Sequence, residues 1–165
     1  MAILKSLTNL LDKNKVKYKI LDHKKVYTAW DLAETEHLKP QDIAKTLVVK
    51  LDKEYALAVL PASKNLDKVK FRKVVNQFKK KQGLKSVKKV DLAKESWMKK
   101  NIKGKVGATP PFGSLFKLAI FVDRSLLTKP DLIINSGDYI KSLKIKSKAF
   151  VKVESPVKGS FSKKK

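Results

Sequence analysis

Lys45 stands at a position where a lysine could do chemistry. It opens an apolar run, residues 46–49, that is typical of a buried strand. A lysine there either extends its ammonium from the strand edge into water or holds it in a pocket. The local pattern by itself favours the first arrangement. The second would supply a cation able to bind a phosphate or to stabilise a developing oxyanion.

A second feature is the segment GKVGATPPFGSL at 104–115, which holds three glycines and two prolines. It is too rich in helix- and strand-breaking residues to belong to either element. Glycine lets a backbone approach a ligand closely, and proline holds the surrounding loop rigid. These residues fit a ligand-binding loop and an ordinary turn equally.

The usual catalytic constellations are missing from the sequence. It contains no cysteine and only two histidines, and it lacks a nucleophile elbow, a P-loop and a dinucleotide-binding glycine motif. His23 follows Asp22, but this neighbouring pair is not by itself an acid–base pair, and a histidine at a strand end is more often structural. An enzyme built from this chain is therefore expected to use no metal, no cofactor and no protein nucleophile.

The net charge indicates an anionic partner. Lys and Arg number 39 against 15 Asp and Glu, for a formal charge of +24, and Arg72 and Arg124 are the only arginines. High positive charge concentrates polyanions near a protein surface. Lysine is a mobile point charge, whereas arginine has the planar fork that reads a guanine edge. The composition favours contact with a nucleic-acid backbone, although much of the lysine could simply solvate the surface.

The composition also bears on where the protein works. No apolar run approaches the roughly 20 residues that a membrane helix needs. The first 15 residues carry charges throughout and lack a signal-peptide cleavage site. We therefore expect a soluble, cytoplasmic protein without membrane contact.

The elements that must position these residues are predicted from hydrophobic spacing. The pattern predicts a helix from Ile3 that ends near Asn14 and a half-buried strand over residues 16–20. Thr28 and Asp31 predict the start of a short helix, and Pro40 predicts the first turn of another. The segments KTLVVKL and YALAVLP predict two adjacent strands that form a hairpin.

The second half of the chain alternates helix and strand signals. A basic amphipathic helix is predicted from Leu66 to Phe78, and a shorter helix is predicted to start at the cap Asp91. FKLAIFVD and DLIINS predict buried strands, and YIKSLKI predicts a surface strand. We find no repeat and no linker. The prediction is one α/β domain of the α+β type over residues 1–154, a mixed sheet with surrounding helices, and a disordered basic tail over 155–165.

Several segments, taken in order, resemble the YbaK/ProX family of prolyl-tRNA-editing aminoacyl-tRNA deacylases. These segments are IAKTLVVK, YALAVLPAS, NLDKVKFRKV, KVGATPPFG, AIFVD and INSG. The most specific parts are the lysine before a hydrophobic strand and the G-x-x-x-P loop, matched here by Lys45 and by Gly107 with Pro111. The similarity runs from about His23 to Val153.

The resemblance implies a deacylase that hydrolyses the ester of mischarged tRNA, chiefly tRNA(Pro) carrying a wrong small amino acid such as alanine or cysteine. It implies that Lys45 is the essential lysine and that the loop from Gly107 through Pro111 and Phe112 grips the aminoacylated 3′ end. Ser136 and Gly137 match a small-residue turn that borders the pocket in the family. Mischarged tRNA is the implied substrate, and prolyl-tRNA synthetase is a further candidate partner.

A binding protein is the alternative interpretation. A non-catalytic tRNA- or rRNA-binding module could keep the same fold, and high lysine content would suit it equally. Retention of both Lys45 and the Gly107–Pro111 loop favours the enzyme, because a pure binding module has no need of them.

Overall fold

The computed structural model describes residues 4–165, which contain five α-helices and ten strands joined by loops and three short 3-10 helices. The helices are α1 (Lys5–Lys13), α2 (Ala29–Thr35), α3 (Lys68–Lys81), α4 (Glu95–Asn101) and α5 (Ser147–Glu154). The strands are β1 (Lys19–Asp22), β2 (Ala44–Leu51), β3 (Glu54–Pro61), β4 (Lys64–Leu66), β5 (Val90–Leu92), β6 (Ala119–Asp123), β7 (Asp131–Asn135), β8 (Lys141–Lys146), β9 (Val157–Gly159) and β10 (Ser162–Lys164). None of these five helices is long and apolar enough to cross a membrane. Ile3, the first apolar position of the predicted N-terminal helix, lies outside the described residues.

The predicted hairpin is confirmed and forms the centre of a five-stranded mixed sheet, ordered β5-β2-β3-β6-β9. β2 and β3 pair antiparallel from Ala44 opposite Pro61 to Leu51 opposite Glu54. β6 then joins β3 in parallel, and β9 joins β6 in parallel. The sheet is therefore mixed, as the sequence predicts.

Alternation along β2 decides which face Lys45 occupies. Ala44 and Val48 pack into the core beneath α1 and α5, whereas Val49 and Leu51 pack into a second core beneath α3. Because successive side chains of a strand point to opposite faces, Lys45 shares the α3 face of the sheet with Val49 and Leu51. α3 itself begins at the predicted cap, where Asp67 accepts a hydrogen bond from the Lys70 N–H.

A second, three-stranded antiparallel sheet is ordered β1-β8-β7. It meets the larger sheet through a parallel bridge between Ile43 and Ile133. β8 corresponds to the predicted surface strand but is the central strand of this sheet, with Leu143 and Ile145 buried. Together the two sheets and their flanking helices confirm the predicted fold class.

The predicted helix start at Asp91 is wrong. Asp91 lies within β5 and pairs with Lys50 at the edge of the larger sheet, and α4 begins later, at Glu95. The neighbouring Val90 is buried against the sheet. Pairing with a distant strand therefore outweighs a local capping signal here.

The predicted disordered tail at 155–165 is also wrong in this structure. β9 extends the five-stranded sheet, and β10 pairs antiparallel with β4. Phe161, between them, is fully buried, and its ring lies 4.9 Å from that of Phe71 on α3. The basic composition suggests a solvated segment, but one buried aromatic side chain and two strand pairings hold it on the domain.

Candidate active site

Lys45 and Gly107 lie on the same pocket, although 61 positions separate them in the sequence. The pocket has a volume of about 290 Å³. It is lined by the first turn of α2, the start of β2, the loop at 107, the end of β7 and the residue after β10. The lining residues are Thr28, Ala29, Trp30, Lys45, Thr46, Leu47, Ala62, Gly107, Asn135 and Lys165.

Lys45 is partly buried and does not extend freely into water. Its ammonium donates a hydrogen bond to the Lys64 carbonyl oxygen on β4. Burial, and secondarily the nearby Lys165 ammonium, lower the pKa of Lys45 to about 8. A lysine with this pKa remains mostly charged at neutral pH, yet it is far more easily deprotonated than a lysine in water.

Gly107 is the residue through which its loop reaches the pocket. Its φ of +88° is a conformation that L side chains rarely adopt, and a Cβ atom there would overlap the Tyr27 carbonyl oxygen. The residue therefore presents only backbone to the pocket. A larger side chain at 107 would displace the Tyr27 backbone as well as block a ligand.

Two tyrosines hold this loop in place. The Tyr139 hydroxyl donates a hydrogen bond to the Val106 carbonyl oxygen, next to Gly107. The Tyr139 ring meets the Tyr27 ring edge-on, with centroids 4.8 Å apart. The loop thus depends on contacts from both the α2 region and the β7–β8 turn.

Ser136 and Gly137 do not line the pocket, and Gly137 braces the loop that does. The Gly137 N–H donates to the Ala108 carbonyl at 2.8 Å, and the Gly137 carbonyl accepts from the Lys105 N–H at 2.9 Å. Ser136 is fully buried, and its hydroxyl donates to the Lys141 carbonyl at 2.6 Å. Asn135, immediately before them, is the residue of this turn that lines the pocket.

Pro111 and Phe112 also lie away from the pocket. Both are buried, and the Phe112 ring packs edge-on against Phe150 of α5, with centroids 5.8 Å apart. The structure therefore gives Phe112 a place in the main core, where it anchors the C-terminal side of the loop. Of the six predicted site residues, Lys45 and Gly107 are the two that the fold brings together at the pocket.

Trp30, Thr46 and Lys165 line the pocket although the sequence pattern does not predict them as site residues. Trp30 is 40% exposed, and the Lys165 ammonium lies 3.8 Å from the centroid of its ring. Thr46 Oγ1 is buried and has no hydrogen-bond partner among residues 4–165. The available signal for Trp30 was its place just after the cap Thr28. Lys165 carried no local signal, because its placement depends on the pairing of β10.

His23 is occupied elsewhere. Its Nε2 lies 2.9 Å from the Ser142 hydroxyl, and its Nδ1 lies 2.7 Å from the Lys24 carbonyl oxygen. No cluster of three or more His, Cys, Asp or Glu side chains suited to a metal ion occurs within the described part of the chain. The pocket instead offers two ammonium groups, glycine backbone and small polar side chains, a set suited to binding an anion or a developing oxyanion.

Solved structures share this fold. A hypothetical protein, APE2540, superposes with a TM-score of 0.80 at 20% identity, over 96% of this chain and 100% of its own. A protein named as a candidate trans-editing enzyme for prolyl tRNA synthetase superposes with a TM-score of 0.73 at 16% identity, over 96% of both chains. A candidate signal transduction protein from Marinobacter aquaeolei VT8 matches with a TM-score of 0.66 at 11% identity, over 98% of this chain but 31% of its own. At these identities the matches show the fold alone.

Sequence comparison identifies the family. A search of curated protein sequences found no significant match. The model of the aminoacyl-tRNA editing domain, in contrast, matches residues 23–153, which include β2 to β8 and all of the loop at 107. The matched region covers most of the chain and contains all six predicted site residues. The chain therefore belongs to the aminoacyl-tRNA editing domain family.

Proposed function

We propose that this protein is a stand-alone trans-editing deacylase that hydrolyses the ester of mischarged tRNA, chiefly tRNA(Pro) carrying alanine or cysteine. The observation that carries the proposal is the meeting of the Lys45 ammonium and the Gly107 backbone on one small pocket, in a chain of the editing-domain family. The similar fold of a candidate trans-editing enzyme for prolyl tRNA synthetase supports tRNA(Pro) as the substrate and that synthetase as the partner.

The reaction needs few groups because an aminoacyl ester is already activated. A nucleophile, either water or the side chain of the attached amino acid, adds to the carbonyl carbon, and the carbonyl oxygen becomes an oxyanion. The oxyanion then returns to a carbonyl as the bond to the ribose oxygen breaks. That oxygen takes up the proton that the nucleophile has lost and becomes the free hydroxyl. The ammonium of Lys45 and the backbone of the glycine loop stabilise the oxyanion, and the pocket positions the ester.

Pocket size is the basis of the proposed selectivity. Ala29, Leu47 and Ala62 supply its apolar wall, against which the side chain of the attached amino acid would pack. Each methylene in such a pocket changes binding by only about 1–3 kcal/mol. Selection between alanine, cysteine and proline therefore depends on steric exclusion by this wall.

The proposal includes hydrolysis without a metal or cofactor and a cytoplasmic site of action, where tRNA is aminoacylated. Among residues 4–165 the charged groups of the pocket are the two lysines, which repel rather than ligate a cation. Dialysis against a chelator should leave the deacylation rate unchanged. A rate that falls on chelation and returns with an added divalent ion would contradict this part of the proposal.

The central test replaces Lys45. Lys45→Ala should lower the single-turnover rate of Ala-tRNA(Pro) or Cys-tRNA(Pro) deacylation by on the order of 100- to 1,000-fold, because it removes one donor to the oxyanion. Lys50→Ala is the matched control, since Lys50 lies on the same strand but is exposed. Its rate should remain near that of the wild type, and circular dichroism should show both variants folded.

Two outcomes would contradict the proposal. A Lys45→Ala protein that deacylates at the wild-type rate would remove Lys45 from the mechanism. A wild-type protein that binds these tRNAs but hydrolyses none of them would favour the non-catalytic tRNA- or rRNA-binding module instead.

A further inference from the structure

We propose that Trp30 and Lys165 form the binding place of the terminal adenosine of tRNA, with the adenine stacked on the indole and the lysine paired with the neighbouring phosphate. This inference rests on the proposed function, because the terminal adenosine is the nucleotide that bears the aminoacyl ester. It assigns a substrate contact to Trp30 and to Lys165, the residue after β10.

The first observation is the position of Trp30. Its ring is 40% exposed and lines the same pocket as Lys45 and Gly107. Its neighbours in the sequence, Ala29 and Asp31, are fixed by burial and by the Thr28 cap respectively. A large, partly exposed aromatic ring that lines a pocket is a suitable surface for stacking a nucleobase.

The second observation is the cation that lies on this ring. The Lys165 ammonium is 3.8 Å from the centroid of the Trp30 ring, and the side chain lines the pocket. No acidic residue lines the pocket with it in the described part of the chain. A lysine that rests on an aromatic face and has a flexible stem can leave the ring when a base takes its place, and its charge then meets the phosphate of that nucleotide.

The third observation is that the same pairing recurs nearby. The Lys25 ammonium lies 5.9 Å from the Tyr27 ring, and the Lys105 ammonium lies 5.2 Å from the Tyr139 ring. These two rings contact each other and hold the loop of Gly107. Aromatic rings interleaved with cations are the feature that proteins use to bind single-stranded nucleic acid, and the 3′ end of tRNA is single-stranded.

Fluorescence tests the stacking directly. The chain has two tryptophans, and Trp97 stacks on Tyr55 with centroids 3.6 Å apart, so Trp97→Phe keeps a ring there and leaves Trp30 as the only tryptophan. Titration of this variant with the RNA oligonucleotide ACCA should change Trp30 emission saturably. The oligonucleotide ACC, which lacks the terminal adenosine, should bind about 5- to 150-fold more weakly, the range expected for one stacked base.

Variants separate the two partners. Trp30→Ala should raise KM for mischarged tRNA with a smaller change in kcat, and Trp30→Phe should restore much of the loss. Lys165→Ala should weaken ACCA binding, whereas its neighbour Lys164→Ala, which is exposed on β10 and does not line the pocket, should weaken it less. Equal effects of these two lysines would overturn the assignment of Lys165.

The outcomes distinguish this inference from the proposed function. If the protein deacylates mischarged tRNA but Trp30 emission does not respond to ACCA, the inference is wrong and the function stands. If ACCA binds on Trp30 but no mischarged tRNA is hydrolysed, the nucleotide site stands and the enzymatic function fails.

Discussion

At the scale of single residues, Lys45 shows how its surroundings set the chemistry of a side chain. A strand-edge lysine in water keeps a pKa near 10.4. Here burial beside Lys64, and then the nearby charge of Lys165, lower that pKa to about 8. The charged form is required for oxyanion stabilisation, whereas the neutral form would be required of a general base. The pH profile therefore distinguishes the two roles.

We predict that the part of the deacylation rate that depends on Lys45 falls as the pH rises through about 8. This part is the wild-type rate minus the rate measured with Lys45→Ala, a subtraction that also removes spontaneous hydrolysis of the ester. Lysine loses its proton there, and the oxyanion loses its cation. Lys165→Ala should move this fall to higher pH, because one of the two causes that lower the pKa of Lys45 is removed. The shift is measured from single-turnover rates between about pH 6.5 and about pH 9.5, a range that brackets the lowered pKa of Lys45 and extends toward the ordinary lysine value. A rate that instead climbs steadily across pH 8 would identify neutral Lys45 as a base.

At the scale of elements, Asp123 holds the C-terminal segment on the domain. It ends β6 and is 2% exposed, and it accepts hydrogen bonds from the Phe161 N–H at 2.7 Å and the Ser162 N–H at 3.0 Å. The Ser162 and Ser125 hydroxyls also donate to it. Burial alone would raise the pKa of this carboxyl, but the hydrogen bonds from Phe161, Ser125 and Ser162 outweigh burial and hold it below its ordinary value.

We predict that Asp123→Ala destabilises the fold by on the order of 3 kcal/mol, because buried donors are left without their acceptor. Urea unfolding measures the change in free energy. Ser162→Ala should cost about 1 kcal/mol, whereas Ser160→Ala, at an exposed position of the same segment, should cost little. Equal effects of the two serine substitutions would contradict the role of Asp123 as a clamp.

The same carboxyl makes a pH-dependent contribution to stability. Because its pKa is lowered in the folded state, the contribution is fully present above the ordinary aspartate value near 3.9. It is lost as the pH falls through the folded-state pKa. The wild type should therefore lose stability below about pH 4 more steeply than Asp123→Ala does.

At the scale of the whole molecule, the positive charge extends beyond the pocket. A groove of about 510 Å³ runs along α3 and residues 87–88 on the face of the sheet that Lys45 shares. It is lined by Arg72, Lys73, Asn76, Gln77, Lys80, Val87 and Lys88. Four of these are cations and none is acidic, so the groove suits an RNA backbone.

We predict a steep salt dependence of tRNA binding, with log K falling by about 0.7–0.9 per unit of log salt for each phosphate neutralised. Replacing Lys73 and Lys80 together by Glu should weaken binding. It should also reduce the slope of log K against log salt by about 0.7–0.9 for each phosphate that is no longer neutralised. Replacing Lys148 and Lys152 of α5, which packs on the opposite face of the larger sheet, by Glu is the matched control. Binding can be followed by anisotropy of labelled tRNA. An affinity that does not change between low and physiological salt would refute the electrostatic account.

Much of the fold was predictable from local sequence because local physics specifies it. The β2–β3 hairpin follows from apolar alternation and a short polar turn, and α3 and α2 follow from their spacing and from caps that Asp67 and Thr28 provide. The family also followed from the order of motifs along the chain, and with it the prediction that Lys45 and the loop at 107 belong to the site.

Tertiary structure alone decided the placement of the residues whose partners are distant in the sequence, including those around Lys45. Asp91 joins a strand and residues 157–164 form two strands because their partners come from distant parts of the chain, so no local pattern contains them. Phe112 enters the core and Gly137 braces a loop for the same reason. Burial of Phe161 and the hydrogen bonds of Asp123 position the C-terminal segment so that Lys165 contacts Trp30. Composition alone describes that segment only as charged and solvated.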